Sequence, residues 1–242
     1  MVNMPELQPG NSRSPVGVFD SGVGGLSVLR QLLRHLPHED MVYLADSAWA
    51  PYGERSPEQI ETRCLQIADY LQQQHRIKAL VVACNTATSQ AVQQLRNRWP
   101  QLPLVGVEPA IKPAAANSQT GRIAVLATPA TLASERVQAL LEAHAGGVEV
   151  LRRAGHGWVE RVEAGDLDSP VTHRVVSDVI EPLLDEHIDH IALGCTHYPL
   201  LRSTIRKIMG DQVCLVNPAY ETALELGRLL KEKELSGTGT VQ

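Results

Sequence analysis

The chain has 242 residues, of which 43% are apolar and 20% charged, and its formal net charge is −5. These are ordinary values for a globular protein, and a weakly acidic chain without a basic block is not expected to bind nucleic acid. No apolar run approaches the roughly 20 residues that cross a bilayer, so no membrane partner is expected. Residues 1–15 lack the apolar core of a signal peptide, which predicts a cytoplasmic protein with a short N-terminal tail.

The first predicted element is a short apolar strand over residues 16–19, followed by a glycine-rich loop. Leucines recur at helical spacing from Leu26, so a helix is predicted directly after this loop. The loop lacks both the G-K-[ST] of a P-loop and the full G-x-G-x-x-G of a dinucleotide site, so a carboxylate, a phosphate or no ligand fits it equally well. Asp20, at the end of the strand, is either a catalytic group or a turn-forming residue.

A second strand is predicted over residues 41–44, followed by a loop with a turn at residues 51–53. Ser56 then starts a helix, because a proline follows it and a glutamine stands three residues later, as in a capping box. Cys64 lies on the apolar stripe of this helix. We therefore expect Cys64 to be a small core residue and not a nucleophile.

An apolar strand over residues 79–83 delivers Cys84 to its carboxyl end, directly before another predicted helix. The carboxyl ends of buried parallel strands are where α/β proteins place their chemistry. A thiol next to a helix N-terminus also has its thiolate form favoured. Cys84 is therefore a candidate base.

The same pattern returns in the second half, with a strand over 123–128, an amphipathic helix over 171–184 and a strand that ends in Cys195. Cys84 lies 64 residues after Asp20, and Cys195 lies 67 residues after Thr128. This weak internal duplication predicts an α/β protein of two similar lobes with mostly parallel sheets and an active site in the cleft between them. The predicted domains are residues 1–107, joined by 212–242, and residues 108–211.

A last strand over 213–216 and a last helix complete the chain, and Cys214, between two valines, is expected to be buried and unreactive. The four cysteines form no C-x-x-C pair, which disfavours zinc-ribbon and thioredoxin-like sites. A metal site is not expected, because His197 follows Cys195 but nothing near Cys84 offers a second imidazole. A redox pair of Cys84 and Cys195 stays open, since it requires only that the thiols touch.

A site with two catalytic bases explains the matched positions of Cys84 and Cys195 better than a metal site or a redox pair does. A racemase or epimerase removes a proton from one face of a carbon and returns one to the other face, which calls for two similar groups on opposite sides of the substrate. Duplicated lobes with matched thiols would supply them. Asn85, Thr86 and Thr196 would then hold polar groups of the substrate, and backbone N–H groups its carboxylate.

Several stretches, together spanning residues 16 to about 230, closely resemble the glutamate racemases. They are VGVFDSGVGGLSVL (16–29), PYG (51–53), ACNTA (83–87), VERVEAG (159–165) and LGCTHYPLL (193–201). The wider aspartate/glutamate racemase superfamily shares the two cysteines but not all of these flanking residues. The resemblance implies cofactor-independent interconversion of L- and D-glutamate, which supplies D-glutamate for peptidoglycan and thus for cell wall biogenesis and cell shape. We also expect a homodimer.

By the same resemblance, Cys84 would deprotonate D-glutamate and Cys195 L-glutamate. Asp20 would assist Cys84, and His197 together with Glu163 would assist Cys195. Glu160 is a close alternative to Glu163. The resemblance also implies a set of glutamate-binding residues, namely Ser21, Pro51, Tyr52, Gly53, Asn85, Thr86, Thr128 and Thr196. Two other functions stay open: a related racemase that acts on aspartate, and a non-catalytic ligand-binding protein.

Overall fold

The structure is a computed structural model that describes residues 10–237. The predicted N-terminal tail therefore lies, apart from residues 10–15, outside the described residues. Between residues 10 and 237, eight strands form two four-stranded sheets in which every pairing is parallel. This confirms the predicted α/β class with two similar lobes. Within residues 10–237, no helix is both long and apolar enough to span a membrane.

The first sheet has the strand order β2-β1-β3-β4, and the second has the equivalent order β6-β5-β7-β8. The strands of the first sheet are β1 (Val16–Asp20), β2 (Met41–Ala45), β3 (Ala79–Val82) and β4 (Leu104–Gly106). Those of the second sheet are β5 (Arg122–Ala127), β6 (Glu149–Ala154), β7 (His190–Gly194) and β8 (Cys214–Val216). The duplication seen in the sequence is therefore a duplication of topology.

Ten α-helices surround the sheets within the described part of the chain. They are α1 (Leu26–His35), α2 (Pro57–His75), α3 (Asn85–Arg98), α4 (Ile111–Asn117), α5 (Pro129–Leu132), α6 (Glu135–His144), α7 (Trp158–Glu163), α8 (Pro170–Ile180), α9 (Arg202–Met209) and α10 (Ala219–Glu232). Ser56 caps α2 through the predicted capping box with Gln59. The helix predicted over 171–184 ends as α8 at Ile180 and continues as the 3₁₀ helix Glu181–Glu186, which contains a proline at its start.

Each lobe buries its sheet on both faces, which is why the central strands read as continuous apolar runs. On one face of the first sheet, Phe19 and Val82 pack with residues of α2 and α3. On the other face, Val16 and Val81 pack with α1 and α10. The C-terminal helix α10 thus returns to the first lobe, whereas β8 before it belongs to the second sheet. Strand β8 lies beyond the predicted boundary at 211/212, and the predicted domain limits stay a prediction.

The expectation for Cys214 is wrong. Cys214 is exposed, while its neighbours Val213 and Leu215 are buried. Strand β8 pairs with β7 and stands last in the order of its sheet, and side chains alternate between faces along a strand. Cys214 therefore takes a face of this edge strand that is left open. Cys64, in contrast, is fully buried in the core of the first lobe, as expected.

Candidate active site

The two matched cysteines face one narrow cavity between the lobes. Cys84 enters it from the end of β3 and Cys195 from the end of β7. Every residue named above as glutamate-binding lines this cavity: Ser21, Pro51, Tyr52, Gly53, Asn85, Thr86, Thr128 and Thr196. His197 and Val159 complete the lining. Val159 begins the stretch 159–165 named above but was not predicted to bind substrate. The cleft predicted between two lobes is therefore present and carries both thiols.

Cys84 is the N-cap residue of α3, and its Sγ accepts a hydrogen bond from the Ala87 N–H at 3.5 Å. It also contacts the Ser21 hydroxyl at 3.7 Å. Burial and the nearby Asp20 carboxylate nevertheless raise the pKa of the Cys84 thiol to about 12, against these two contacts. The helix N-terminus does favour the thiolate, as expected, but burial outweighs it. In this structure Cys84 is a protonated thiol at neutral pH.

Asp20 ends β1 and is fully buried. Its Oδ2 accepts hydrogen bonds from the N–H groups of Gly25 at 2.8 Å and Gly22 at 3.3 Å. Its Oδ1 accepts a bond from the hydroxyl of Thr196 at 3.2 Å, on the other lobe. Burial raises the pKa of the Asp20 carboxyl, and the charge of His197 and these hydrogen bonds oppose that shift. Asp20 thus lies between the two halves of the site. Its charge acts on Cys84, and its hydrogen bond reaches Thr196, the residue that follows Cys195.

Cys195 is followed by an ordered pair of titratable side chains. Its Sγ lies 3.8 Å from Nδ1 of His197, and Nε2 of His197 lies 2.5 Å from Oε1 of Glu163. Burial lowers the pKa of His197, but its bonds to Cys195 and Glu163 outweigh burial and raise that pKa well above its ordinary value. The bond from His197 lowers the pKa of Glu163 in return. The result is a cationic imidazole beside the second thiol.

Of the two candidate glutamates, the structure places Glu163 at this site. Glu163 ends α7 and also accepts the N–H of Val23 at 2.8 Å, across the cleft. Glu160, one turn earlier on the same helix, is exposed. The sequence could not separate them, because the choice depends on where the first lobe meets α7.

The glycine-rich loop has a role that the sequence did not reveal. A Cβ on Gly22 would collide with the carboxylate of Glu163, and one on Gly24 with the imidazole of His197. The loop of the first lobe therefore receives the His197–Glu163 pair of the second lobe, and only glycine leaves the space. The hydroxyl of Tyr43 supports the loop by donating to the Gly22 carbonyl at 2.7 Å.

A group of three threonine hydroxyls joins the lobes on the other side of the cavity. Oγ1 of Thr86 lies 3.0 Å from Oγ1 of Thr128 and 3.1 Å from Oγ1 of Thr131. Thr131 was not predicted. Near this group, the buried Oδ1 of Asn85 has no hydrogen-bond partner, although its Nδ2 reaches the carbonyl of Val107 at 3.5 Å. Asn85 Oδ1 is an acceptor open to a ligand.

The four cysteines, all within the described residues, are free thiols, so Cys84 and Cys195 form no disulfide here. Across residues 10–237, no three His, Cys, Asp or Glu side chains gather in an arrangement that could hold a metal ion. What the cavity offers chemically is proton transfer. One thiol lies beside a carboxylate and the other beside a cationic imidazole.

Comparison with known proteins agrees with this reading. A family model for Asp/Glu/Hydantoin racemases matches residues 16–223. The chain is 49% identical to a glutamate racemase of Ectopseudomonas mendocina (strain ymp) over 231 residues, which cover 96% of this chain and 88% of that protein. It is 47% identical to a glutamate racemase of Pseudomonas aeruginosa (strain PAO1) over 224 residues, which cover 93% of this chain and 84% of that protein.

Solved structures give the same result. A glutamate racemase from Bacillus anthracis superposes with a TM-score of 0.83 at 36% identity, covering 94% of this chain and 85% of that one. A glutamate racemase from Francisella tularensis, solved in complex with D-glutamate, superposes with a TM-score of 0.82 at 30% identity, covering 95% and 85%. The fold, the cavity and the family model together define an isomerase of the amino-acid racemase class. Within that class, the chain belongs to the glutamate racemases.

Proposed function

We propose that this protein interconverts L- and D-glutamate by a two-base mechanism, with Cys84 exchanging the α-proton on one face of the substrate and Cys195 on the other. The observation that carries the proposal is that the two thiols, from equivalent strand ends of duplicated lobes, line one cavity. A single nucleophile or metal ligand needs no such counterpart. Racemisation does need one, because the proton leaves and returns on opposite faces.

The surroundings of the thiols support a division of labour. Cys84, with its pKa raised to about 12, is the protonated member and thus the acid. Cys195 faces His197, whose raised pKa keeps a positive charge 3.8 Å from its Sγ. Groups with environments this different take different roles in acid–base chemistry. Cys84 would thus give its proton to one face of the substrate, and Cys195 would exchange the proton on the face beside the charge of His197.

Binding of glutamate would use the polar lining of the cavity. The open Oδ1 of Asn85 suits the substrate ammonium, and the hydroxyls of Ser21, Thr86, Thr128 and Thr196 suit its carboxylates. Residues 51–53 close the cavity on the side of the first lobe. Holding both ends of the substrate would orient the α-carbon between the thiols.

The chemical difficulty is that the α-proton of an amino acid is far less acidic than a thiol, whose ordinary pKa is about 8.5. A thiolate is therefore a weak base for this proton. We propose that no cofactor assists. The closed cleft would instead exclude water, and pre-positioned donors would stabilise the charge that develops on the substrate carboxylate. Asp20, bonded to Thr196 of the other lobe, would couple the two halves while the lobes are closed.

The deciding experiment follows solvent deuterium into the α-position of glutamate, with no cofactor added. We expect deuterium to enter from both enantiomers, together with loss of optical rotation starting from L-glutamate. L-Aspartate in parallel tests the closest rival. Equal or faster loss of rotation with aspartate would favour the rival racemase, and no exchange with either substrate would favour a non-catalytic binding protein.

The biological setting belongs to the same proposal. We propose a cytoplasmic homodimer that supplies D-glutamate for peptidoglycan. Depletion of the protein in its host should then stop wall synthesis and change cell shape, and added D-glutamate should restore both. Failure of D-glutamate to restore growth would contradict the role in peptidoglycan without contradicting the chemistry.

A further inference from the structure

An ion pair that the proposed mechanism does not use lies behind one wall of the cavity. Asp46 follows β2, and its side chain is only 4% exposed. Arg63, on α2, donates to it twice, from Nε to Oδ2 at 2.8 Å and from Nη2 to Oδ1 at 2.5 Å. A two-pronged contact of this kind fixes the orientation of the carboxylate as well as its position. Neither side chain lines the cavity.

The Asp46 carboxylate is bonded directly to the cavity wall. The hydroxyl of Tyr52 donates to Oδ2 of Asp46 at 2.7 Å. Tyr52 begins a 3₁₀ turn, Tyr52–Glu54, and lines the cavity together with Pro51 and Gly53. Gly53 lies against the second lobe, since a Cβ there would stand 3.1 Å from Cβ of Thr128. The wall over residues 51–53 thus meets both the substrate space and the opposite lobe.

The same ion pair is joined to the catalytic strand. The N–H of Asp46 donates to the carbonyl of Asp20 at 2.9 Å. The guanidinium of Arg63 also lies 5.5 Å from the ring centroid of Trp49, in the loop that leads to the wall. Arg55 lies 5.0 Å from that centroid and donates to the Trp49 carbonyl at 3.4 Å. Arg63 therefore joins helix α2 to the loop over residues 46–55.

We propose that Arg63 and Asp46 are positioning residues of the racemase site, which hold the wall over residues 51–53 at the distance from the thiols that fits glutamate. The inference rests on the proposed function. The wall touches the substrate in both the ground state and the transition state, whereas the proton transfers occur at Cys84 and Cys195. Loss of the ion pair should therefore weaken binding uniformly, which raises KM more than it lowers kcat.

The test compares kcat and KM for L- and D-glutamate in Arg63→Met, Arg63→Lys and Asp46→Asn. We expect Arg63→Met and Asp46→Asn to raise KM for both enantiomers by about tenfold and to change kcat by less than about threefold. Arg63→Lys should raise KM less, because lysine keeps the positive charge but cannot donate from two nitrogens to the two carboxylate oxygens. The double variant should be no worse than either single one, since both break one contact.

An ion pair with a buried partner also stabilises the fold, so a stability control is needed. Ile77→Val serves, because Ile77 is fully buried just before β3, at the end of the sheet away from the site. It should lower the melting temperature without raising KM. An unchanged KM in Asp46→Asn and Arg63→Met, or an equal rise in Ile77→Val, would overturn the positioning role. If the wild type racemises glutamate and the variants keep its KM, only this inference fails. If the wild type itself is inactive, the proposed function fails.

Discussion

The N–H of Val23, in the first lobe, donates a 2.8 Å hydrogen bond to Oε1 of Glu163, in the second. The same oxygen is bonded to Nε2 of His197 at 2.5 Å. One carboxylate oxygen therefore both ties the lobes together and holds the imidazole that faces Cys195. It follows that the Cys195 half of the site is complete only while the lobes are closed.

Glu163→Gln tests this double role. The amide can still accept the Val23 N–H, but it carries no charge to keep His197 protonated. We expect kcat/KM to fall by about 10- to 100-fold, which is less than the full contribution of a general acid–base group, about 10²–10⁴. The matched control is Glu160→Gln, one turn away on α7 and exposed. Equal activity in the two variants would show that Glu163 has no part in the reaction.

The pH dependence of stability follows from the same pair. Glu163 has a lowered pKa, so its contribution is present above its unfolded pKa, near 4.5, and is lost as pH falls through the folded value. His197 has a raised pKa, so its contribution is present below its unfolded pKa, near 6.5, and is lost as pH rises through the folded value.

The melting temperature of the wild type should therefore exceed that of Glu163→Gln most between the two unfolded pKa values, near 4.5 for Glu163 and near 6.5 for His197. Thermal unfolding at a series of pH values measures the difference. The gap should shrink on both sides of that window, whereas Glu160→Gln should match the wild type throughout. A gap that does not vary with pH would mean that the pair is not charged in the folded protein.

The glycine-rich loop makes a steric prediction. A Cβ on Gly24 would meet the ring of His197, so Gly24→Ala should displace the imidazole and lower kcat/KM by about tenfold or more. Gly147→Ala is a suitable control, because nothing lies within 4 Å of a Cβ at that position. Steady-state kinetics of both variants decide the matter. Unimpaired activity in Gly24→Ala would mean that the lobes do not meet at this loop during turnover.

The reactivity of the four thiols should follow their exposure. Cys214 is exposed and should be alkylated first, without loss of activity. Cys64 is fully buried and should not react in the folded protein. Cys84 and Cys195 should react slowly, with loss of activity, and D- or L-glutamate should protect them. Peptide mapping by mass spectrometry assigns each site. Inactivation that follows modification of Cys214 alone would contradict this order.

Much of the fold could be predicted from local patterns. Apolar runs such as residues 79–83 identify strands covered on both faces, and their spacing gave the duplication. Both thiols were found because they follow such strands. Cys214 was misjudged, because flanking apolar residues indicate a strand but not whether that strand lies at the edge of its sheet.

The parts of the site that the sequence missed all depend on contacts between distant elements. The docking of Val23 on Glu163 joins residues 140 positions apart, and no local periodicity encodes it. The pairing of Arg63 with Asp46 is likewise set by how α2 packs on the loop after β2. Thr131 completes the threonine group only because α3 and α5 meet across the cleft.

The most direct test of the two-base mechanism measures α-proton exchange in deuterated water with Cys84→Ser and Cys195→Ser. Both variants should keep the native fold by circular dichroism and lose racemisation, because one face lacks its thiol. Cys84→Ser should exchange the α-proton of L-glutamate alone, through Cys195. Cys195→Ser should exchange that of D-glutamate alone, through Cys84. Racemisation at the wild-type rate in either variant, or exchange of both enantiomers by one variant, would contradict the assignment of one thiol to each face.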